Sequence, residues 1–485
     1  MLFMLLRLFH VLPIVLLLIG TRVNAQQSKR YNVLVILTDD QRFNTIHSLG
    51  NAAVHTPNMD RLVKSGTTFT QAHIMGSLGG AVCAPSRAML MTSRPVFKVH
   101  QDGGVIPASE KTFPELFRQH GYNTFATGKW HSDRASFNRS FSSGDNIFFG
   151  GMHTEQAGGH WKPRLHHYDS TGKYAGAFDG RQFSSVCFAD AAISFLQQPQ
   201  QQPFLMYVAF TAPHDPRTPP AEYLALYDTA KISLPGNFLP RHPFDNGELK
   251  VRDEQLLPSP RNPGQVKLEI AKYYAMISEV DHEIGRVLDA LRKSGQYDNT
   301  IIILAGDNGL AVGQHGLLGK QNLYDHSMRV PLIFSGPGIP ANKQLDAYCY
   351  LNDVFPTLCD IAGLPIPATV AGVSLDKAFT QQRFSGRDHL FMTYSNLQRA
   401  IVKDSMKLVL YNVNGRHPVQ LFDLSEDPLE MHNLAGDKKY HQKVAAMRKL
   451  LYATMRQYGD FCDPVKENWG YPGRLKWEDA LRINP

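Results

Sequence analysis

One cysteine in the first fifth of the chain stands in a setting that suits nucleophilic chemistry. Residues 83–94 read Cys-Ala-Pro-Ser-Arg-Ala-Met-Leu-Met-Thr-Ser-Arg. Pro85 lacks an N–H and has a fixed φ, which suits the first turn of a helix. Cys83 is therefore predicted at a helix N-terminus, where backbone dipoles favour an anion, with the forked cation of Arg87 near the same face. The alternative is a buried cysteine that only fills space.

Oxygen-bearing side chains follow two apolar runs of the strand type. Residues 31–37 are nearly all apolar and branched, which predicts a central strand of a parallel sheet, and Asp39 and Asp40 follow it directly. A later run of the same kind leads into Asp307 and Asn308. Carboxylate and amide oxygens suit a hard cation such as calcium. The alternative for each pair is a turn, because Asp and Asn favour turns.

Basic side chains follow further predicted strands. They are Lys129 and His131 after the strand at 122–127, His214 after the strand at 203–210, and Lys320 at the end of a glycine-rich loop. The carboxyl ends of parallel strands meet at one edge of a sheet, so these bases and the acids are expected to form one site. His214 could donate a proton near neutral pH. A solvated surface is the alternative for each of them taken alone.

Two more side chains are candidates for binding substrate. Arg217, in the Pro-rich segment after His214, could bind a second anionic group, and a surface role is an equal alternative. His315 lies in the glycine-rich loop, whose spacing is not that of a P-loop. Residues 132–180 are rich in Gly, His and aromatics and are expected to form a long irregular loop. Its aromatic and basic residues suit stacking on sugars and pairing with anionic groups, although a structural loop is the alternative.

The first 25 residues predict export. They carry Arg7, an apolar run and a small-residue ending, as a cleavable secretory signal does, and an uncleaved N-terminal anchor is the alternative. No other stretch is long and apolar enough to predict stable membrane insertion. The formal charge is +7, and the signal contains two arginines and no acids, so the mature chain keeps a mild positive excess. That excess suits an anionic substrate and is too dilute to predict nucleic-acid binding.

The chain has five cysteines, and their spacing does not predict a zinc site. They are Cys83, Cys187, Cys349, Cys359 and Cys462. An exported protein could pair those other than Cys83, for instance Cys349 with Cys359, and buried free thiols are an equal alternative.

The order of predicted elements indicates an α/β fold. Up to residue 385, buried strands alternate with helices, which predicts a large, mostly parallel sheet flanked by helices. From residue 386 to 485, short strands joined by turns precede a final helix, which predicts a small antiparallel sheet with a helix. We therefore expect a catalytic domain over 26–385 and a C-terminal subdomain over 386–485.

The cysteine motif resembles the signature of the formylglycine-dependent sulfatases, Cys-x-Pro-Ser-Arg followed by x-x-x-Leu-Thr-Gly-Arg. The five-residue core matches fully, whereas Met91 stands for the leucine and Ser93 for the glycine. If that glycine needs a positive φ, serine there costs about 1 kcal/mol. The order of the strand-end residues and the closing segment 421–434 are also similar to this family, which belongs to the alkaline phosphatase-like superfamily.

The resemblance implies a role for each candidate. A calcium ion would be bound by Asp39, Asp40, Asp307 and Asn308, together with Cys83 oxidised to formylglycine. The sulfate would be surrounded by Arg87, Lys129 and Lys320. His131 would hydrogen-bond the formylglycine hydrate, and His214 would lie at the leaving-group oxygen. The hydrate would be the nucleophile that attacks sulfur.

The resemblance also implies partners. A formylglycine-generating enzyme would mature the chain, and a sulfated saccharide is the leading substrate class. Two alternatives remain at this level: a formylglycine-dependent phosphonate monoester or phosphodiester hydrolase, and a non-catalytic glycan-binding protein on the same scaffold.

Overall fold

The strand that precedes Asp39 lies in the middle of a ten-stranded sheet in the computed structural model, which describes residues 30–460. The strands are β1 (Asn32–Thr38), β2 (Gly66–His73), β3 (Gly76–Ser77), β4 (Asn123–Lys129), β5 (Ser143–Phe148), β6 (Arg164–Tyr168), β7 (Phe178–Asp179), β8 (Phe204–Ala209), β9 (Thr300–Gly306), β10 (Leu332–Ser335), β11 (Lys343–Tyr350), β12 (Leu390–Tyr394), β13 (Gln398–Lys403), β14 (Met406–Tyr411) and β15 (Val419–Asp423). The large sheet has the order β11-β2-β10-β9-β1-β8-β4-β5-β6-β7. Its central strands β9, β1, β8 and β4 are all parallel, so their carboxyl ends share one edge.

Residues 30–460 form eleven α-helices, and some of them cover both faces of the large sheet. They are α1 (Pro57–Ser65), α2 (Cys83–Thr92), α3 (Phe113–Gln119), α4 (Arg134–Ser140), α5 (Ser184–Leu196), α6 (Ala221–Leu224), α7 (Pro263–Lys293), α8 (Asp325–Met328), α9 (Val354–Ala362), α10 (Asp376–Thr380) and α11 (His441–Tyr458). The longest, α7, begins where the Asn262 side chain accepts hydrogen bonds from the backbone N–H groups of Gly264 and Gln265.

Successive residues of β1 belong to different hydrophobic cores. Val33, Val35 and Leu37 pack in one core with α2, α3 and α9, whereas Leu34 and Ile36 pack in the other with α5 and α7. Because side chains alternate along a strand, a strand with both faces covered must be apolar throughout. The predicted α/β fold with a mostly parallel central sheet is therefore confirmed.

A second, smaller sheet comes mainly from the end of the chain. Its order is β15-β14-β13-β12-β3, and all its pairs are antiparallel except that of β12 with β3. Helix α11 packs against it. Strand β3 comes from the segment just before Cys83, so this sheet is tied directly to the region of the cysteine motif. The division of the chain at residue 386 stays a proposal.

The prediction of an irregular loop over residues 132–180 is wrong. The segment contains helix α4 and strands β5, β6 and β7, which extend the large sheet at one edge. Two of its basic side chains, Lys162 and Arg164, both pair with Asp179 of the same segment. The sequence hides these strands because an edge strand with one solvated face needs few apolar residues.

Helix α2 is buried along its whole length and ends at an unusual residue. Ser93 follows the helix with φ of +57°, in the left-handed region that favours glycine. Its Oγ donates to the Asn352 carbonyl oxygen at 2.7 Å and accepts from the Gly372 N–H at 2.9 Å. The serine that departs from the family signature thus does occupy a positive-φ position, and its hydroxyl forms two buried hydrogen bonds there.

Exchange of this serine should separate the two effects. Ser93→Gly relieves the backbone strain but removes both hydrogen bonds, and we expect a net loss of about 1 kcal/mol in the free energy of unfolding. Ser93→Ala removes the same bonds and keeps the strain, so it should lose about 1 kcal/mol more. Urea unfolding of the two variants measures the difference. Equal stabilities would show that the left-handed backbone is not strained.

Several sequence-based predictions fall outside residues 30–460, among them the secretory signal over 1–25 and Cys462. Within the described range, Cys83, Cys187, Cys349 and Cys359 are all free thiols, so Cys349 is not joined to Cys359. None of the helices within the same residues has the length and apolar character of a membrane span.

Candidate active site

Four neighbouring parallel strands deliver the predicted polar residues to one edge of the sheet. Strand β1 runs into Asp39 and Asp40, and β9 runs into Asp307 and Asn308. Strand β4 ends at Lys129, with His131 two residues on, and β8 is followed by His214 after a short turn. Helix α2 brings Cys83 and Arg87 to the same place, where the Ser86 hydroxyl donates to the Asp307 carbonyl oxygen at 2.5 Å.

Three buried carboxylates lie together at the centre of this edge. Each of Asp39, Asp40 and Asp307 has an oxygen within 4.8 Å of the others. The Asp40 N–H donates to Asp307 Oδ1 at 3.0 Å, and Asp40 itself has φ of +63°. A non-glycine residue held in this region is strained, and such strain is found where the surrounding structure requires one orientation of a side chain.

The unsatisfied atoms of the cluster fit a hard cation. Asp39 Oδ1 and Asn308 Oδ1 are buried and have no hydrogen-bond partner among residues 30–460. The Asn308 amide donates to Asp40 Oδ1 at 2.7 Å, which leaves its own oxygen directed elsewhere. Buried acceptors without donors are costly, and carboxylate and amide oxygens are the preferred ligands of calcium and magnesium. The residues present therefore fit a divalent metal ion.

Each carboxylate of the cluster has one buried Lys or Arg as its shortest ion-pair partner. The pairs are Lys129 Nζ with Asp39 Oδ2 at 2.6 Å, Lys320 Nζ with Asp40 Oδ1 at 2.6 Å, and Arg87 Nε with Asp307 Oδ2 at 2.8 Å. Three positive and three negative charges balance. A metal cation and an anionic group of a substrate could therefore bind together without leaving a large net charge in this buried site.

The pKa values reflect this crowding. Burial alone would raise the pKa of Asp39, but Lys129, His214 and Arg87 outweigh it and hold that pKa well below its usual range. Burial and the nearby Asp39 carboxylate raise the pKa of Asp307 to about 6. The Asp39 carboxyl is thus strongly stabilised as the anion, while Asp307 resists ionisation because it is buried and lies beside a carboxylate that is already charged.

The Cys83 sulfur lies among three basic side chains. Sγ is 3.4 Å from His131 Nδ1, 3.5 Å from Lys129 Nζ and 3.9 Å from Lys320 Nζ. Burial raises the pKa of the thiol despite the two ammonium groups. Burial, Lys129 and Arg87 hold the pKa of His131 well below its usual value, so this imidazole is neutral. A group at position 83 would meet two cations and one neutral hydrogen-bonding ring.

His214 is oriented for proton exchange. Its Nδ1 lies 2.8 Å from the carbonyl oxygen of Asp215, and because a carbonyl only accepts, Nδ1 carries a proton. Nε2 is left to take up or release the second proton, 3.6 Å from Asp40 Oδ2. Asp215 is in turn held by Arg252. A histidine fixed in one orientation next to a cavity suits general acid or base chemistry.

These side chains border a cavity of about 270 Å³. Its lining includes Cys83, His131, His214, Lys320, Arg252 and Gln321. A neighbouring pocket of about 540 Å³ shares Met152 and Arg252 with the first, and Arg217 lines it while donating to Glu269 Oε2 at 3.1 Å. The structure thus places Arg217 beside the site rather than at its centre.

One predicted substrate-contacting residue lies outside the cavity, and one charged residue of its lining was not predicted. His315 does not line the cavity: its ring stacks on Tyr324 with 4.0 Å between centroids, and its Nε2 lies 3.1 Å from the Asn237 side-chain nitrogen. Sequence reasoning missed Arg252, which lies between the cavity and the neighbouring pocket. The sequence offered one weak indication, the position of Arg252 in the Pro-rich, irregular segment 227–262. No local sequence pattern links that segment to Cys83.

Comparison with known proteins identifies the family. The sequence model described as Sulfatase matches residues 31–364, which carry every strand-end residue of the site. The chain belongs to the sulfatase family. It is a sulfuric ester hydrolase, which excludes the non-catalytic alternative. A model described as N-sulphoglucosamine sulphohydrolase, C-terminal, also matches residues 313–457 of this sulfatase.

Individual relatives of this sulfatase align over nearly its whole length. A sulfatase of Formosa agariphila is 29% identical over 483 residues, covering 92% of each chain. An N-acetylglucosamine-6-O-sulfatase of Bacteroides thetaiotaomicron is 26% identical, covering 95% of this chain and 93% of that protein. A solved structure in complex with its substrate, D-glucosamine-2-N,6-O-disulfate, superposes with a TM-score of 0.74 at 24% identity, covering 90% of this chain and all of that one. That last similarity shows a shared fold.

Proposed function

We propose that this sulfatase removes sulfate from a sulfated saccharide, using a formylglycine made from Cys83 and a calcium ion held by Asp39, Asp40, Asp307 and Asn308. The observation that carries the proposal is the geometry around Sγ, where the cysteine, two ammonium groups and the oxygen cluster meet in one cavity. The saccharide part is supported by the related N-acetylglucosamine-6-O-sulfatase and by the structural neighbour that binds a glucosamine disulfate.

The chain's own residues would act on the sulfate group in distinct ways. When present, formylglycine supplies a hydrate hydroxyl as nucleophile, and calcium supplies positive charge beside it. Lys129 and Lys320 lie near position 83 and would stabilise charge that develops on the sulfate oxygens. His214 would hold at Nε2 the proton that the leaving alcohol needs. His131 stays neutral and would orient the group at position 83 through Nδ1.

Arg87 would act in a different way from the two lysines. Its Nε is bound to Asp307 and its Nη1 donates to the Lys129 carbonyl oxygen at 2.9 Å. Its Nη2 is buried 3.8 Å from Asp39 Oδ2 and has no hydrogen-bond partner among residues 30–460. We therefore infer that Arg87 both fixes the metal-binding acid and offers one free N–H to an oxyanion. We also propose export and maturation by a formylglycine-generating enzyme, as the sequence predicts.

A substrate panel tests the function. Protein from a host with the maturation machinery is assayed on sulfated mono- and oligosaccharides, aryl sulfates, phosphonate monoesters and phosphodiesters. We expect kcat/KM to be highest for a sulfated saccharide. Turnover of aryl sulfate alone would overturn the saccharide proposal, and faster turnover of phosphonate monoesters or phosphodiesters would favour the alternative hydrolase.

Removal of the metal should inactivate the enzyme. After chelation we expect activity to fall at least about 100-fold, because the transition state loses the charge of the ion. The melting temperature should fall as well, because a ligand that binds only the folded state stabilises it. Added calcium should restore both, and magnesium should restore less, since it demands stricter octahedral geometry. Full activity in chelator would contradict the metal proposal.

Arg252 should affect saccharide substrates selectively. Its side chain is about half exposed between the cavity and the neighbouring pocket, and Asp215 and Asp253 hold it there. Arg252→Ala is expected to raise KM for a sulfated oligosaccharide about tenfold, through loss of one charge-assisted hydrogen bond, with a change within about threefold for an aryl sulfate. Lys162→Ala, an exposed cation that lines neither pocket, is the matched control. Equal effects on both substrates would mean that Arg252 acts only through Asp215.

A further inference from the structure

A second pocket, separate from the catalytic cavity, has no role in the proposed reaction. It measures about 300 Å³ and shares no lining residue with the cavity at Cys83. Most of its lining comes from three segments: residues within 42–53 after β1, residues 231–237 of the Pro-rich segment, and residues 428–430 after β15. Helix α7, Gln314 and the helix α8 residues Asp325 and His326 complete it. Exposed Lys231 and Leu429 lie among its lining residues, so the pocket is accessible to solutes.

A buried guanidinium without a counter-ion lines this pocket. Arg42 is 2% exposed, and its Nε and Nη1 have no hydrogen-bond partner among residues 30–460. Both atoms are fully enclosed, and the guanidinium lies over the ring of Tyr273, with 5.2 Å between CZ and the ring centroid. A guanidinium has five N–H donors and stays charged, so burial without a partner is strongly unfavourable.

The acids of the same pocket do not neutralise Arg42. Asp325 and Glu430 both line it, but Lys407 Nζ lies 2.8 Å from Asp325 Oδ1 and 2.7 Å from Glu430 Oε1. Asp325 also lies within ion-pair distance of Arg329. Neither carboxylate pairs with Arg42 within the described chain. The Arg42 guanidinium is therefore a positive charge that no carboxylate of the described residues neutralises, and an anion in the pocket would neutralise it.

Neutral polar groups around Arg42 are unsatisfied as well. His326 is buried, and neither ring nitrogen has a partner in the part of the chain that the structure describes. The buried side-chain oxygens of Asn44 and Asn237 also have no hydrogen-bond partner among the described residues. The Asn237 nitrogen already donates to the Leu429 carbonyl oxygen at 2.9 Å, which fixes its free atom as an acceptor. A ligand that fits must bring negative charge for Arg42 and hydrogen-bond donors for these acceptors.

We propose that the pocket at Arg42 and His326 is a second anion-binding site, which takes an oxyanion of the sulfate class. Arg42 is the cation that binds it, and His326 contributes one ring nitrogen. The donors for Asn44 and Asn237 come either from water around a free sulfate ion or from hydroxyl groups of a saccharide that carries the sulfate. The volume equals that of about ten water molecules, which accommodates a hydrated ion or a single sugar residue.

Selenate, a sulfate analogue, locates the site. Crystals of the wild-type enzyme soaked in selenate should show an anomalous selenium peak next to the Arg42 guanidinium, distinct from any peak at Cys83. Crystals of Arg42→Met should lack the first peak and keep the second. A wild-type pocket without selenium, filled by water alone, would overturn the proposal, as would a peak that persists in Arg42→Met.

Thermal unfolding tests the site in solution. Lys320→Met weakens the catalytic anion site, and in that background millimolar sulfate should raise the melting temperature by several degrees over sodium chloride of equal ionic strength. The added Arg42→Met change should remove this rise, whereas Arg61→Met, a surface arginine, should keep it. An unchanged rise in the Arg42→Met protein, or a rise no larger than that with chloride, would overturn the proposal. If Arg42→Met does not fold, the wild-type selenate map decides.

A titration distinguishes the two sources of the anion. Glucosamine 6-sulfate and inorganic sulfate are compared in the same Lys320→Met protein. Tighter binding of the sugar by about tenfold or more supports a saccharide-borne sulfate, and equal affinities support the free ion. Binding of neither at millimolar concentration overturns the proposal.

Discussion

Replacing Cys83 with alanine should abolish sulfatase turnover, with a fall in kcat of about 10⁴-fold or more. Alanine cannot be converted to an aldehyde, so the nucleophile would be lost while the surrounding charges remain. The fold should survive, because the change removes only one sulfur from a buried helix. Steady-state kinetics on the best saccharide substrate measures the effect, and circular dichroism checks the fold.

Cys187→Ala provides the matched control. Cys187 is also a buried free thiol, but it lies on α5 and does not line the catalytic cavity. Its replacement should leave kcat within about twofold of wild type. If the Cys83→Ala enzyme retains a substantial fraction of wild-type turnover, then the cysteine is not the source of the nucleophile.

Replacing Lys320 with methionine should lower kcat by about 10²–10³-fold. The ammonium is buried, contacts Asp40 at 2.6 Å and lies 3.9 Å from the Cys83 sulfur. Burial lowers the pKa of this lysine, but Asp40 more than offsets it and holds the pKa well above its usual value, so the group is charged at any working pH. Removal of one group that stabilises transition-state charge in an active site typically lowers kcat by about this factor.

The effect on KM separates transition-state from ground-state binding. If Lys320 mainly stabilises charge formed during the reaction, kcat falls and KM changes little. Lys343→Met is the matched control, because Lys343 lies on β11 with its Nζ bound to the Ala378 carbonyl oxygen at 2.8 Å, and activity should stay within about twofold. Unchanged kcat with a raised KM in Lys320→Met would assign the lysine to substrate binding alone.

The centre of the fold was predictable because it obeys simple rules. Strand β1 is apolar on both faces, and the two acids after it break that pattern at the strand's carboxyl end, where sites form in α/β sheets. The same reasoning, applied to β4, β8 and β9, predicted that residues from distant parts of the chain lie in one site. The structure does bring these residues together around Cys83.

The edges of the fold were harder to predict. Strand β11 went unrecognised because its exposed and buried residues mix polar and apolar types over Lys343–Tyr350. Strands β5 and β6 were read as loop for the same reason. A strand that is half solvated leaves a weak periodic signal, and its pairing is fixed by neighbours that are remote in sequence.

The periphery of the site depends on contacts that no local pattern encodes. Arg252 reaches the cavity because the excursion 227–262 folds against the loop that carries His214 and Asp215. His315 stands only five residues before Lys320, yet its ring stacks in a different cluster. Proximity in sequence to a catalytic residue thus did not predict proximity in space.

The mass of the peptide that contains residue 83 tests the central claim most directly. The protein is produced in a host that carries the maturation enzyme, assayed for sulfatase activity and then digested. We predict that active preparations contain a peptide lighter than the cysteine form by the difference between a –CH₂SH and a –CHO group, and that its fraction scales with activity. Fully active protein whose residue 83 is entirely thiol would contradict the claim.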